Sequence, residues 1–341
     1  MAERNYEFRR RLAAVHRPGR RDPHVYPKTG DTLIEEGWRI VIPQDASALL
    51  LTVAKDLQDY FFISMNLSLL LHRTSDITTL AASGQRCILL ATRRELTEWG
   101  AELTVPRSFR LLCATPRIVI CGHEDRGTAQ GCYHLEDLMN RREAPVVAHQ
   151  DVIRYPLFSP RMVHSGWGLD LFPDEYLNAM AHHGFDAALL FVGHCRDVVP
   201  HLDRTPKGYQ DFNNLVDRAE RYGIDVYAYS YLKSDVHPDE PGAEAYYDRL
   251  YGALFQHCPR FKGVILVGES VEFRSKDPHT TGRLRQDPPL DGLPASKPSP
   301  GWWPCYDYPQ WLDLIKKVIR RHNPHADLVF WTYHWGYAPE E

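Results

Sequence analysis

Apolar positions along the chain follow two rhythms. Trp38-Arg-Ile-Val-Ile is a short apolar run of strand type. After the helix-starting residues Asp45-Ala-Ser, the side chains Leu49, Val53, Leu57 and Phe61 fall on one helical face. Cys87-Ile-Leu-Leu-Ala and Arg117-Ile-Val-Ile-Cys predict two more strands. Gly122 ends the second, and a helix is expected through Thr128–Met139. These elements predict a small α/β unit over residues 31–150.

The pattern changes after Arg154-Tyr-Pro-Leu-Phe-Ser-Pro, where two prolines mark a domain boundary. Strand and helix then alternate regularly. Apolar strands are predicted from Arg161, Asp186, Ile224, Gly263 and Asp327. Between them run amphipathic helices with stripes Phe212-Leu215-Val216-Ala219, Tyr247-Leu250-Tyr251-Leu254 and Trp311-Leu314-Ile315-Val318-Ile319. Continuous apolar strands joined by crossover helices imply a parallel sheet covered on both faces.

A parallel sheet of this kind is either doubly wound or part of a (β/α)8 barrel. No strand is followed by G-x-G-x-x-G or G-x-x-x-x-G-K-[ST], which argues against the nucleotide-binding open sheets. Polar and aromatic residues gather just after the strands, where a barrel carries its site. They are His164, Ser165 and Trp167; His194, Arg196 and Asp197; Lys233, Asp235 and His237; Glu269, Glu272 and Arg274; and His334 with Trp335. The expected fold is α/β: a small N-terminal α/β accessory domain, then the first five βα units of a TIM barrel over 151–341. Five units are too few to close a barrel, so a truncated barrel is expected.

Composition narrows the class. The 341 residues carry 40 basic and 44 acidic side chains, a net charge of −4, which gives no reason to expect nucleic acid or an anionic membrane as partner. No run approaches the roughly 20 apolar residues of a membrane span; Leu67-Ser-Leu-Leu-Leu71 is short and internal. The charged start Met1-Ala-Glu-Arg-Asn-Tyr lacks the apolar stretch of a signal peptide. The seven scattered cysteines form no C-x-x-C and suggest reduced thiols, hence a cytoplasmic location. Residues 1–30, rich in Arg, His and Pro without apolar period, predict a poorly ordered, solvated basic arm.

The chemistry points to the fourth strand end. In Gly263-Val-Ile-Leu-Val-Gly-Glu269-Ser-Val-Glu272 a buried strand delivers a carboxylate to the mouth of the sheet. Partial desolvation there can raise a carboxyl pKa enough for general-acid work, as glycoside hydrolysis requires. A surface glutamate satisfied by Arg274 or water is the plainer alternative. The long loop after it holds Trp302 and Trp303, suited either to stacking on a sugar ring or to pinning the loop. His182-His183 is expected to be a helix end interacting with the dipole. Asp235-Val-His-Pro-Asp239 reads as a solvated loop more readily than as a metal site. H-E-x-x-H and G-x-S-x-G are both missing.

The segment Ile118-Val-Ile-Cys-Gly-His-Glu-Asp-Arg-Gly127-Thr-Ala-Gln-Gly131-Cys-Tyr-His-Leu-Glu-Asp-Leu resembles the end of the accessory domain of family 20 β-N-acetylhexosaminidases and family 67 α-glucuronidases. Tyr155-Pro-Leu-Phe-Ser-Pro-Arg161-Met-Val-His, Phe172-Pro-Asp-Glu-Tyr-Leu and His183-Gly-Phe-Asp-Ala-Ala-Leu resemble the start of their barrel. The resemblance spans about residues 35–335 and implies a glycosidase with a strand-four glutamate as acid and Arg161 contacting substrate. The Asp-Glu pair of family 20 is replaced by Gly268-Glu269-Ser270, and Glu269-Ser-Val-Glu272 is one residue longer than the Asp-Ser-Glu of family 67. Glu269 and Glu272 are therefore both candidate catalytic residues. Arg161, His164, Trp167, His194, His237, Trp302, Trp303, His334 and Trp335 are candidate substrate contacts. No metal or cofactor is expected, and the partner is an oligosaccharide or glycoconjugate; homo-oligomerisation stays open. A non-catalytic carbohydrate-binding protein on the same scaffold is the alternative.

Overall fold

A computed structural model describes residues 14–164, 172–192, 206–230, 236–267, 276 and 307–331. The chain divides into two compact units. The first comprises Met1–Arg161 with Pro173–Asp186 and Glu220–Ile224; the second comprises Met162–Phe172, Ala187–Ala219 and Asp225–Glu341. The chain passes between the two units several times.

In the first unit a short antiparallel pair joins β1 (Asp31–Leu33) to β7 (Val146–Ala148). Beside it lies a six-stranded sheet of β2 (Arg39–Pro43), β3 (Leu70–Thr74), β4 (Cys87–Thr92), β5 (Phe109–Ala114), β6 (Arg117–Gly122) and β8 (Gln150–Arg154), in the order β3-β2-β4-β6-β5-β8. The first three pairings are parallel, whereas β5 runs antiparallel to both β6 and β8. One sheet face packs Val41, Leu89, Val119 and Cys121 against Ile77 and Ala81 of α2 (Ile77–Ser83). Helices α1 (Ala48–Met65) and α3 (Asp125–Arg142) pack on each other, α1 against β2 and α3 against β6.

Helix α1 starts where the sequence placed it. Ser47 is the cap, its hydroxyl accepting the Leu50 N–H at 3.0 Å. Val53, Leu57 and Phe61 are buried as their spacing predicts. Leu67-Ser-Leu-Leu-Leu71 runs into the edge strand β3, where Leu70 is exposed. The glycines of α3 permit close approach: a Cβ at Gly127 would collide with the Ser108 carbonyl oxygen, and one at Gly131 with the Ile120 side chain.

Residues 14–30, read from sequence as part of a solvated arm, instead run against this unit. Arg21 N–H reaches the Ser64 carbonyl at 3.1 Å, Arg17 N–H the Ser64 hydroxyl at 3.0 Å, and Asp22 N–H the Glu143 carbonyl at 2.7 Å. Helix α4 (Asp174–His182) also belongs here.

The second unit holds β9 (Met162–His164), β10 (Ala187–Phe191), β11 (Asp225–Ser230), β12 (Gly263–Val267) and β13 (Asp327–Trp331). All four pairings are parallel and the strands lie in chain order. Helix α5 (Pro206–Glu220) leads into β11. A segment of α6 (Ala243–Tyr247), a π-helical turn and α7 (Ala253–His257) leads into β12, and α8 (Tyr308–Arg320) into β13. The predicted helical stripes are buried at Phe212, Leu215, Tyr247, Tyr251, Leu254, Trp311, Ile315 and Val318. Among the described residues this is a five-stranded parallel sheet, and no closed barrel is present. Nor is any described helix long and apolar enough to cross a membrane.

Candidate functional site

Parallel strands of equal direction put all their carboxyl ends on one edge of the sheet, and side chains alternate between its faces. One face carries Met162 and His164 from β9; Ala187, Leu189 and Phe191 from β10; Tyr227 and Tyr229 from β11; Ile265 from β12; and Val329 and Trp331 from β13. Met162, His164, Leu189, Ile265, Val329, Phe330 and Trp331 line an open cleft of about 390 Å³.

The carboxyl-terminal edge is aromatic. The ring of His164, the last residue of β9, stands edge-on to Phe191 at 5.1 Å, to Tyr229 at 5.2 Å and to Trp331 at 6.2 Å between centroids. Tyr229 in turn meets Phe191 at 4.8 Å and Trp331 at 5.7 Å. Partial burial lowers the pKa of His164, so its imidazole is neutral at pH 7 and can donate one hydrogen bond while accepting another. Below this layer Tyr227 donates to Asp327 at 2.7 Å, and Ser230 and Tyr251 share a buried hydrogen bond at 3.0 Å. A neutral imidazole set among aromatic faces is suited to a polar ligand with apolar ring faces.

Of the expected site residues, the structure describes three. His164 is in the cleft. His237 is not a free contact in a solvated loop: it is 2% exposed, with Nε2 3.1 Å from Asp307 and Nδ1 2.5 Å from Asp239. Lys276 closes the group, its Nζ 2.5 Å from Asp239 and its N–H 2.7 Å from Asp307. With both ring nitrogens engaged by carboxylates, His237 pins the chain after β11 rather than offering itself to substrate. Arg161 immediately precedes β9 in the chain and belongs to the first unit. Its guanidinium is 3.5 Å from Asp186. Glu269, Glu272, Trp167, His194, Trp302, Trp303, His334 and Trp335 lie outside the described residues.

Sequence reasoning missed a second constellation, in the first unit. His16, Asp56, Glu136 and His182 come from the leading segment, α1, α3 and the end of α4. His182 Nε2 is 3.0 Å from Asp56 and 3.3 Å from Glu136, and His16 Nε2 is 3.2 Å from Asp56. His182 is therefore more than a helix end, although its Nδ1 does pair with the Asn178 carbonyl at 2.9 Å.

No protein-family model and no curated protein matches the sequence. Solved structures do. The β-N-acetylhexosaminidase of Streptomyces coelicolor A3(2) superposes with TM-score 0.57 at 14% identity, covering 93% of this chain and 66% of that one. A mutant β-hexosaminidase of Streptomyces plicatus in complex with product gives 0.56 at 13%, covering 92% and 64%. The structure of CpGH84B gives 0.57 at 11%, covering 88% and 47%. The likeness is one of fold, that of glycoside hydrolases with mixed α/β structure. The chain spans less than two thirds of the length of each of these neighbours.

Proposed function

We propose that the chain is a glycosidase, or the part of one that carries the strand-four acid, acting on an oligosaccharide or glycoconjugate without a cofactor. One observation carries this reading above the others. Five parallel strands in chain order present a neutral imidazole and an aromatic layer at their carboxyl ends, the edge where barrel enzymes keep their sites. The fold likeness to hexosaminidases supports the same reading, and so does the (β/α)8-type strand order.

In this scheme the carboxyl group following β12, Glu269 or else Glu272, protonates the leaving oxygen, and His164 hydrogen-bonds a sugar hydroxyl above the aromatic floor. Trp167, His194, Trp302, Trp303, His334 and Trp335 complete the contacts. A substrate of the β-N-acetylhexosaminide or α-glucuronide type follows from the resemblance. The aromatic face alone also supports the alternative, a carbohydrate-binding protein without turnover. A panel of 4-nitrophenyl glycosides separates the two: release of 4-nitrophenol supports the enzyme, while saturable sugar binding without release supports the binding module. Neither release nor binding contradicts both.

A further inference from the structure

Four side chains of the first unit converge in its interior from segments far apart in sequence. Their exposures are 7% for His16, 11% for Asp56, 3% for Glu136 and 11% for His182. One donor atom each from His16, Glu136 and His182 lies within 4.8 Å of the others. The separation of His182 Nε2 from Glu136 Oε2, 3.3 Å, matches the roughly 3.4 Å between ligand atoms that bonds of about 2.0–2.1 Å impose around a tetrahedral ion.

Both imidazoles are oriented from behind. His182 Nδ1 donates to the Asn178 carbonyl at 2.9 Å, which turns Nε2 towards Asp56 and Glu136. His16 Nε2 faces Asp56 Oδ1 at 3.2 Å, which leaves Nδ1 bare. Asn178 Nδ2 donates to the same Oδ1 at 2.7 Å and holds the carboxylate in place. His182 Nε2 faces Asp56 Oδ2 at 3.0 Å and Glu136 Oε2 at 3.3 Å, while His16 Nδ1 and Glu136 Oε1 are fully buried and without a hydrogen bond. Such orphaned buried atoms are costly unless something binds them. Tyr133 stacks on His182 at 4.0 Å and Tyr60 meets His16 edge-on at 5.6 Å, so apolar walls confine the rings.

We propose that His16, Glu136 and His182, with Asp56 orienting the two imidazoles, bind one divalent transition-metal ion of the zinc class, a structural site that fastens the leading segment and α4 to α1 and α3. Two imidazoles and one carboxylate form a mixed nitrogen and oxygen set of zinc type, and the negative charges of Glu136 and the neighbouring Asp56 neutralise the ion. The donor atoms are buried in the interior of the first unit, which gives the ion a structural role.

The full chain, stripped with EDTA and dialysed, is titrated with zinc chloride and with cobalt chloride. One equivalent of zinc should bind and raise the melting temperature by about 5 °C or more. Cobalt should give visible d–d bands without a thiolate charge-transfer band, which separates this site from any cysteine site. The double variant His16→Gln/His182→Gln should lose both. Asp56→Asn, which keeps the shape of the side chain, should weaken uptake at least tenfold and serves if the double variant does not fold. Failure of the unaltered chain to bind zinc or cobalt would overturn the proposal, as would stoichiometric binding retained by the folded double variant. In either case the cluster is a proton-sharing network only.

Discussion

Arg161 and Asp186 bind each other twice through the backbone. The Arg161 N–H donates to Asp186 Oδ1 at 2.7 Å, and the Asp186 N–H donates to the Arg161 carbonyl at 3.0 Å. Arg107 adds Nη1 at 2.6 Å from Asp186 Oδ2. These contacts occupy the residues that lead into β9 and β10, and they give Arg161 a local task. Asp186→Ala removes a carboxylate that is 4% exposed and takes an ion-pair partner from Arg107, a loss of about 3 kcal/mol in a denaturant titration. Arg161→Ala should lower stability and leave sugar affinity unaltered; selective loss of affinity at unchanged stability would restore the role that the resemblance implies.

His237 is expected to matter for folding. His237→Ala breaks its contacts with Asp307 and Asp239 and should cost about 1–3 kcal/mol. Binding of any sugar by the folded variant should stay within about twofold of the parent, readable by calorimetry.

The cysteines give a pH dependence with a definite sign. Burial pushes the thiols of Cys113, Cys121 and Cys258 up to about 12, and that of Cys132 well upward. In the unfolded chain these thiols ionise near pH 9, so the folded state holds protons that the unfolded state has lost. Their contribution is whole below pH 9 and falls as the pH rises from 9 towards 12. Melting temperature should drop over that window. Alkylation by iodoacetamide at pH 8 should be negligible at Cys87, Cys113, Cys121, Cys132 and Cys258 until denaturant is added. Rapid native-state labelling at any of the five contradicts the packing described.

Gly131→Val puts two methyls where the Ile120 side chain and the Phe109 ring already lie. It should destabilise the first unit by about 1–3 kcal/mol, with Gly127→Ala similar because the Ser108 carbonyl cannot move aside. A denaturation midpoint unchanged in both would contradict the close packing of α3 on the sheet.

Much of the fold was legible because it rests on local periodicity. The spacing of Val53, Leu57 and Phe61 specifies the buried side of α1, and the apolar runs at 187–191 and 263–267 can only be covered strands. The direction of β5 and β8 was not legible. Phe109, Leu111 and Cys113 alternate as a strand should, but whether a strand pairs parallel or antiparallel is settled by its neighbours. The same limit hid the polar clusters. Nothing near His16 or His237 in sequence tells that Asp56 or Asp307 will meet them, because those contacts close loops of 40 and 70 residues.

The central claim is that a carboxyl group after β12 works as a general acid beside the aromatic edge. Hydrolysis rates of the parent, Glu269→Gln and Glu272→Gln on an alkyl glycoside and on its 2,4-dinitrophenyl counterpart test it most directly. General-acid catalysis contributes about 10²–10⁴-fold, so one of the two variants should lose that factor on the alkyl glycoside and far less on the dinitrophenyl one, whose leaving group needs little protonation. Full alkyl-glycoside activity in both variants, or loss of equal size on both substrates, would contradict the account.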